Sequence, residues 1–216
     1  LYRMRTGIPW RDLPSEFGDW STVFRRFNLW SKKGVMSDIF QFLSRLNDPQ
    51  WLFIDGSIVK AHQDGANVSS QAEQAIGKSR GGNSTKIHLA VDSGGLPVHF
   101  ELSGGQVHDV SHGESLVVSS PKAEVVVADK GYDSQALRDL IKKRNAQHVV
   151  PRKGNSKQGN DDIDWCMYRY RHLVENAFLN IKKYRAVATR YDKLARNYQS
   201  VVALAFSLMW LPMWVD

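Results

Sequence analysis

The sequence has a single cysteine, Cys166, among its 216 residues. One thiol excludes an intramolecular disulfide and any metal site built from several cysteines, and it suits a reducing compartment. We therefore expect a cytoplasmic protein, in which Cys166 is a small, half-buried side chain without a chemical role.

The sequence also lacks a hydrophobic run long enough to span a membrane. Its longest apolar stretch, 201–215, contains a serine and Pro212 and is shorter than the roughly 20 residues that a bilayer requires. We interpret this stretch as a core helix and expect no membrane partner. No charged segment followed by an apolar run opens the chain, which argues against a secretion signal. Because residue 1 is leucine, we expect further residues to precede it.

The composition is that of a folded domain, with 42% hydrophobic and 24% charged residues. Its length suits one sizeable core, or a small helical module attached to a larger α/β domain. The formal net charge is +7, and residues 138–196 hold 15 Lys and Arg against 6 Asp and Glu. This regional excess predicts a polyanionic partner, although a solvated charged surface would have the same composition.

The first 47 residues have apolar side chains at spacings of three and four, which predicts short helices. One helix, capped by Asp19 or Ser21, is expected to end near Lys32, and a second to run from Met36 to Leu46. We interpret residues 1–47 as a helical module. It fits either a helix-turn-helix DNA reader or an ordinary small helical bundle.

From residue 51 the pattern changes to alternating strands and helices. The expected strands are 51–60, 86–91, 96–102, 124–128 and 148–150, with a hairpin turn at 92–95. The expected helices are 133–145, 164–184 and 197–210, and the expected loops are 63–84, with some helix, and 154–160. This order predicts an α/β domain over 48–216, with a mixed sheet flanked by helices in the ribonuclease-H-like arrangement.

Two aspartates lie in or next to apolar strands, where an ionised carboxylate is costly to bury unless a partner compensates its charge. Asp55 interrupts an apolar strand; an Asp-Gly turn is the alternative, but the apolar pattern resumes at Ile58 and argues against a turn. Asp129 follows the buried run 125–128, at the carboxyl end of a strand, where α/β sites commonly lie. The next helix already has a cap at Asp133 or Ser134, which leaves Asp129 free for another role.

Glu175 shares a helix face with Tyr168, Arg171 and Lys182. At 100° per residue the four fall within a stripe about 60° wide, separate from the apolar face of the same helix. An exposed ion pair between Arg171 and Glu175 is the simpler explanation, but it does not account for the other two residues. Three carboxylates from two strands and a helix suit two divalent ions, which would activate a nucleophile at phosphorus.

The spacing Tyr168-x2-Arg171-x3-Glu175-x6-Lys182 resembles the signature of DDE-class insertion-sequence transposases, in the insertion-sequence-four superfamily and its fifth-type branch. The stretches 54–57 (Ile-Asp-Gly-Ser) and 128–133 (Ala-Asp-Lys-Gly-Tyr-Asp) resemble the other two acidic motifs of that family. Further similar stretches are 9–14, 80–82, 85–88 and 105–109. The resemblance covers nearly the whole chain.

The resemblance implies a ribonuclease-H-like catalytic fold, two Mg²⁺ or Mn²⁺ ions, and cleavage of double-stranded DNA at terminal inverted repeats followed by strand transfer into target DNA. Asp55, Asp129 and Glu175 would then be the catalytic metal ligands. The residues expected to bind DNA or to support the site are Tyr168, Arg171, Lys182, Arg80, Lys86 and Lys130. A homodimer or larger assembly on DNA is expected.

Two alternative functions remain open at this point. His108, Asp109, His112 and Glu114 have a spacing that could present two imidazoles to zinc in an unrelated hydrolase, although a polar loop is the simpler explanation. The other alternative is a truncated element product that binds DNA, or inhibits transposition, without catalysis. Cleavage that depends on Mn²⁺ and on Asp129 would separate the enzyme from the binder.

Overall fold

The computed structural model describes residues 1–67 and 73–211. Its helices are Tyr2–Thr6 (α1), Trp20–Lys32 (α2), Val35–Leu43 (α3), Gln63–Ala66 (α4), Val110–Ser119 (α5), Gln135–Lys143 (α6), Trp165–Tyr168 (α7), His172–Lys182 (α8), Arg185–Ala188 (α9) and Ala195–Trp210 (α10). Its strands are Trp51–Ala61 (β1), Gly77–Ser79 (β2), Gly82–Val91 (β3), Pro97–Gly104 (β4), Val125–Ala128 (β5), Gln147–Val149 (β6) and Thr189–Arg190 (β7). Parts of two predicted segments, 68–72 and 212–215, lie outside the described residues.

The strands of the described residues form one mixed sheet. Its main path is β2-β3-β1-β5-β6, while β4 also pairs with β3, and β7 pairs with β1. β3 runs antiparallel to β1 and β4, whereas β5 and β6 continue parallel to β1. Without the two shortest edge pieces, β2 and β7, the order is β4-β3-β1-β5-β6 with one antiparallel strand. This is the ribonuclease-H-like arrangement that the order of elements predicts.

Helices cover both faces of the sheet and create two apolar layers. One layer packs α8, α9 and α10 against strand residues such as Phe53 and Leu89. The other packs α5 and α6 against residues such as Leu52, Ile54 and Val126. Because successive residues of a strand point to opposite faces, the continuous apolar run at the start of β1 supplies both layers. The same alternation sends Asp55 and Gly56 to opposite sides of the sheet.

The N-terminal helices share the first of these layers. Phe40 of α3 lies with its ring centroid 5.4 Å from that of Phe100 and 5.9 Å from that of Phe206, and Met4 of α1 joins the same cluster. The backbone N–H of Thr22 donates to the Asp19 carboxylate at 3.0 Å, so Asp19 caps α2 as predicted. The helices are thus built onto the main core of the protein.

The surface of α3 bears on the two interpretations of the N-terminal module. The helix contains Asp38 and no lysine or arginine, and its exposed side presents Ile39 and Phe42. A recognition helix needs donors for base edges and cations for phosphates. Helix α3 therefore lacks the surface of a recognition helix, while the interpretation of residues 1–47 as a whole stays a prediction.

Several element boundaries differ from the sequence-based expectations. The predicted helix 164–184 is interrupted by a 3₁₀ turn at Arg169–Arg171, and the helix expected to reach Leu46 ends at Leu43 and continues as a 3₁₀ turn. β3 begins at Gly82 rather than Lys86, because the short strand β2 pairs with its first residues.

Helix α5 was not expected at all, because its segment was interpreted as a polar loop. Its sequence offers little amphipathic pattern, and only Gly113, Leu116 and Val117 are buried. Tertiary packing of these few residues on the sheet therefore stabilises a helix that periodicity did not predict. No helix of the described residues is long and apolar enough to cross a membrane.

Candidate active site

Asp55 and Asp129 lie on neighbouring parallel strands. In β1 and β5 the last paired residues are Ile54 and Ala128, so both aspartates occupy the next position along their strands. Asp55 lies within β1, which continues through Ile58 to Ala61, so the alternative of an Asp-Gly turn is wrong. Asp129 begins a 3₁₀ turn and accepts a hydrogen bond from the Gly131 N–H at 2.7 Å.

The carboxyl group of Asp55 is unusually easy to protonate for an aspartate. Burial raises its pKa to about 6, and the nearby negative charges of Asp129 and Asp109 act in the same direction. The N–H of Gly56, which donates to it at 2.8 Å, and the Arg171 guanidinium lower the pKa and offset part of this effect. Because burial is the main cause, the ionised form of Asp55 is costly in this site, and a bound cation would offset that cost.

Arg171 connects the first acid to the third. Its Nη1 lies 3.0 Å from Asp55 Oδ2, and its Nη2 forms a short ion pair with Glu175 one turn further along the chain. Its guanidinium carbon also lies 5.9 Å from the ring centroid of Tyr168, at cation–π distance. The interruption of the helix at Arg169–Arg171 does not separate these residues, so the predicted stripe exists as a contact network.

Lys182 completes this stripe through a different partner. Its Nζ donates to Ser57 Oγ at 2.6 Å, two residues beyond Asp55 on the same strand and on the same face of the sheet. Burial lowers the pKa of Lys182. The four residues of the Tyr-Arg-Glu-Lys spacing therefore lie along the Asp55 side of β1, and two of them bond directly to that strand.

The three acids are not gathered around one point. Within residues 1–67 and 73–211, no group of three His, Cys, Asp or Glu side chains is arranged to hold a metal ion. Arg171 occupies the space between Asp55 and Glu175 and supplies the positive charge there. The donor chemistry nevertheless fits a hard divalent cation, because all three candidate ligands are carboxylates and two of them lie at equivalent positions of neighbouring strands.

The three other predicted cations occupy different environments. Lys86 is buried, its Nζ donates to the Val107 carbonyl at 2.7 Å, and it lies 3.2 Å from Asp109 Oδ1, so it supports the fold near the site rather than facing solvent. Lys130 is exposed directly after Asp129. Arg80 is exposed and lines a cleft with Ile58, Lys60 and Lys78. Only Lys130 and Arg80 are free to meet a phosphate.

The basic region 138–196 is only partly a surface. Arg138 is buried and pairs with Asp133 at 2.7 Å, Arg144 donates to the Ser120 carbonyl, and Arg152 pairs with Asp162. Arg190 is fully buried. The exposed Lys and Arg of this region are Lys142, Lys143, Lys153, Lys157, Arg169, Lys183, Arg185, Lys193 and Arg196. The predicted anion-binding surface is therefore narrower than the charge count indicates.

The residues of the zinc alternative do not converge. Asp109 faces Lys86, and His112 Nδ1 lies 2.5 Å from Glu101, while His108 and Glu114 are exposed. Helical spacing does place His112 one turn after Asp109, but each of the two side chains already has a different partner. This arrangement offers no ligand set for zinc.

Sequence reasoning missed two features close to the acids. It did not predict that Arg171 pairs with Asp55 of β1, although the spacing of Tyr168, Arg171, Glu175 and Lys182 indicated that this side of the helix faces the site. It also considered Asp109 only for the zinc alternative and did not predict that its carboxylate lies against Gly56. The Gly105-Gln-Val-His-Asp109 stretch was the only available signal for the second contact.

Comparison with known proteins assigns this chain to a family. The family described as "Transposase DDE domain" matches residues 47–210, and the family described as "Putative transposase of IS4/5 family" matches residues 1–40. Together the two matches cover both the N-terminal helices and the α/β domain.

Individual relatives agree with these matches. A Brucella ovis protein named "Putative transposase for insertion sequence element IS6501" is 31% identical over 127 residues, which cover 59% of this chain and 98% of the relative. The transposase for insertion sequence element IS1106 of Neisseria meningitidis is 28% identical over 116 residues, covering 51% of this chain and 40% of that protein.

Solved structures are more distant. The catalytic domain of Mos1 mariner transposase matches 87% of this chain and 89% of its own, with 12% identity and a TM-score of 0.33, and a piggyBac transposase complex gives 0.34. These scores are too low to support an argument, so the assignment depends on the sequence families. The family matches, together with the ordered acids of β1, β5 and α8, show that this chain belongs to the DDE transposases of the IS4/IS5 group.

Proposed function

We propose that this chain is a metal-dependent DNA transposase that cleaves phosphodiester bonds at the ends of its element and transfers the freed strand into target DNA. One observation carries the proposal: Asp55 and Asp129 occupy equivalent positions on adjacent parallel strands, and Arg171 links Asp55 to Glu175. A buried aspartate with a pKa near 6 beside a second carboxylate is a costly arrangement without a bound cation.

Asp55, Asp129 and Glu175 would hold two Mg²⁺ or Mn²⁺ ions in this proposal. Glu175 is exposed and lies at the start of α8, so its side chain can turn toward β1 once Arg171 releases it. When bound, such ions activate a water or a 3′-hydroxyl and stabilise the leaving oxygen. Arg171 then has a free guanidinium for a phosphate, which it can bind in a bidentate manner.

The surrounding side chains would hold the DNA. Lys182 and Tyr168 flank Arg171, and the exposed Lys130 directly follows Asp129, so cations lie on both sides of the acid pair. Arg80 in the neighbouring cleft would contact the DNA backbone further from the acids, whereas the buried Lys86 would support the site through its ion pair with Asp109. The partner we propose is double-stranded DNA, both the terminal inverted repeats and the target, bound by a homodimer or larger assembly.

The test is Mn²⁺-dependent nicking of supercoiled plasmid by the purified chain and by Asp129→Ala. We expect the variant to lose about 10³-fold or more in rate, because metal stabilisation of the transition state is worth several kcal/mol. Its DNA affinity should stay equal or rise, since a carboxylate without metal repels phosphate. Asp139→Ala, an exposed aspartate of α6, is the matched control and should cleave normally.

The two alternatives give different results in the same assay. DNA binding without any Mn²⁺-dependent cleavage by the unaltered chain would indicate the non-catalytic DNA binder. Cleavage that survives in Asp129→Ala would remove Asp129 from the site. Family membership and the dispersed His108–Glu114 side chains leave the unrelated hydrolase without support.

A further inference from the structure

The side of β1 opposite Asp55 carries a second polar network. Gly56 faces that side, and its cross-strand neighbour on β3 is His88, while Lys86 lies opposite Ile58. Both Lys86 and His88 are buried, His88 completely. Charged and titratable side chains buried behind a catalytic strand require an explanation, because an apolar layer would be less costly to bury there.

Asp109 lies at the centre of this network, at the beginning of α5. Its Oδ1 is 3.2 Å from Lys86 Nζ and 3.8 Å from His88 Nδ1. Lys86 also donates to the Val107 carbonyl at 2.7 Å, which fixes the loop that leads into α5. The Asp109 carboxylate is therefore held in place by a buried cation on the strand next to β1.

The carboxylate of Asp109 also contacts the backbone beside Asp55. A Cβ atom added to Gly56 would lie 2.2 Å from Asp109 Oδ1 but 3.4 Å from Lys86 Cδ. Glycine at position 56 is thus what allows the carboxylate to approach β1 so closely. Asp109 is therefore placed directly behind Asp55, on the opposite face of β1.

Helix α5, which begins after Asp109, also reaches the segment that carries Asp129. Tyr132, in the 3₁₀ turn after Asp129, is fully buried, and a Cβ on Gly113 of α5 would lie 3.1 Å from its ring. One turn after Asp109, His112 bonds to Glu101 and stacks on His88 with ring centroids 4.0 Å apart. The start of α5 is therefore fixed to β3 and β4 and touches both acid-bearing segments.

Two of the stretches that resemble the family's sequences meet in this network. The stretch 85–88 supplies Lys86 and His88, and the stretch 105–109 supplies Asp109, both behind the Asp55 motif. We propose that Asp109, held by Lys86, is a positioning residue that fixes the strand carrying Asp55 for metal binding. The inference rests on the proposed function, because it assumes that Asp55 is a metal ligand. Residues that orient a ligand without touching the metal typically change metal affinity about 10–100-fold when they are removed.

The test is a Mn²⁺ titration of the full chain, followed by the electron paramagnetic resonance signal of free Mn²⁺. Asp109→Asn keeps the shape of the side chain and removes its charge, so we expect Mn²⁺ affinity to fall about tenfold or more. Asp139→Asn removes the same charge from the exposed side of α6 and should bind within about twofold of the unaltered chain. Urea unfolding of each variant shows that the compared proteins are folded.

A double variant separates positioning from simple packing. Gly56→Ala alone should destabilise the protein, because its new methyl group would overlap Asp109. In Gly56→Ala/Asp109→Ala the obstruction is gone, so its stability should match that of Asp109→Ala. If Asp109 positions Asp55, Mn²⁺ affinity stays about tenfold low in this double variant. If Asp109 only packs, affinity returns with stability, and the inference is overturned.

The outcomes also separate this inference from the proposed function. Mn²⁺ binding by the unaltered chain that Asp109→Asn leaves within about twofold would overturn the positioning role alone. An unaltered chain that binds no Mn²⁺ would overturn the proposed metal chemistry, and the positioning role with it.

Discussion

Arg190 and Arg171 are two arginines of this chain with opposite surroundings. Arg190 is fully buried in β7, and all of its hydrogen bonds go to uncharged oxygens, among them Thr85 Oγ1 at 2.7 Å and the carbonyls of Ala75 and Lys193. Arg171 is partly exposed and contacts two carboxylates. Arg190 donates to neutral oxygens, whereas Arg171 neutralises part of the charge of two carboxylates.

The two arginines also differ in what their removal would do to the neighbouring residues. Without Arg190, four buried hydrogen bonds would be lost, among them those to the carbonyls of Asp192 and Lys193. Without Arg171, the carboxylates of Asp55 and Glu175 would attract another cation. Neutral partners therefore indicate a structural arginine at position 190, and acidic partners that a metal ion could also bind suit the site role proposed for Arg171.

The largest effect that would sharpen this comparison is on stability. Arg190→Met should lower the free energy of unfolding by about 3–5 kcal/mol, since it removes four buried hydrogen bonds. Urea denaturation measures the change, with Arg169→Met, an exposed arginine of the 3₁₀ turn before α8, as the matched control. Equal stabilities of the two variants would show that the buried bonds of Arg190 contribute little.

Asp55→Asn should stabilise the protein while ending metal binding. The pKa of Asp55 is raised in the fold from 3.8 to about 6, so its ionised form is disfavoured there relative to the unfolded chain. The cost is complete above pH 6 and shrinks as the pH falls toward about 4. We expect the variant to be more stable by about 1–3 kcal/mol at pH 7 and equally stable at pH 4.

Unfolding curves at the two pH values check this prediction. A variant less stable than the parent at pH 7 would mean that the ion pair with Arg171 outweighs the cost of burial. In that case the Arg171 contact would resemble the structural one of Arg190, and the comparison would fail.

The smallest expected effect concerns Arg171 itself. Arg171→Gln should leave the free energy of unfolding within about 1 kcal/mol, because its pairs are partly exposed. It should raise Mn²⁺ affinity in the absence of DNA about tenfold, because a competing positive charge has left the carboxylates. Calorimetric titration measures this, with Arg169→Gln as the control. Weaker Mn²⁺ binding would show that Arg171 helps to hold the acids in place.

Much of the fold followed from local patterns. Apolar runs predicted β1 and β5 and the carboxyl-end location of Asp129, and the Asp-Ser-Gly-Gly turn predicted the β3–β4 hairpin. Helix α5 was not predicted, because only a few of its residues are buried and their spacing shows little helical periodicity. The 3₁₀ turn inside the long helix also has no signature in the residue pattern.

The sequence by itself determined the order of the five main strands, the three acidic motifs and the side of the helix on which Tyr168, Arg171, Glu175 and Lys182 lie. Tertiary structure decided which charges meet. Arg171 reaches Asp55 across 116 positions of sequence, Arg190 lies inside the protein, and Asp109 sits behind Gly56. Periodicity reports only neighbours within an element, whereas these contacts depend on how the helices pack on the two faces of the sheet.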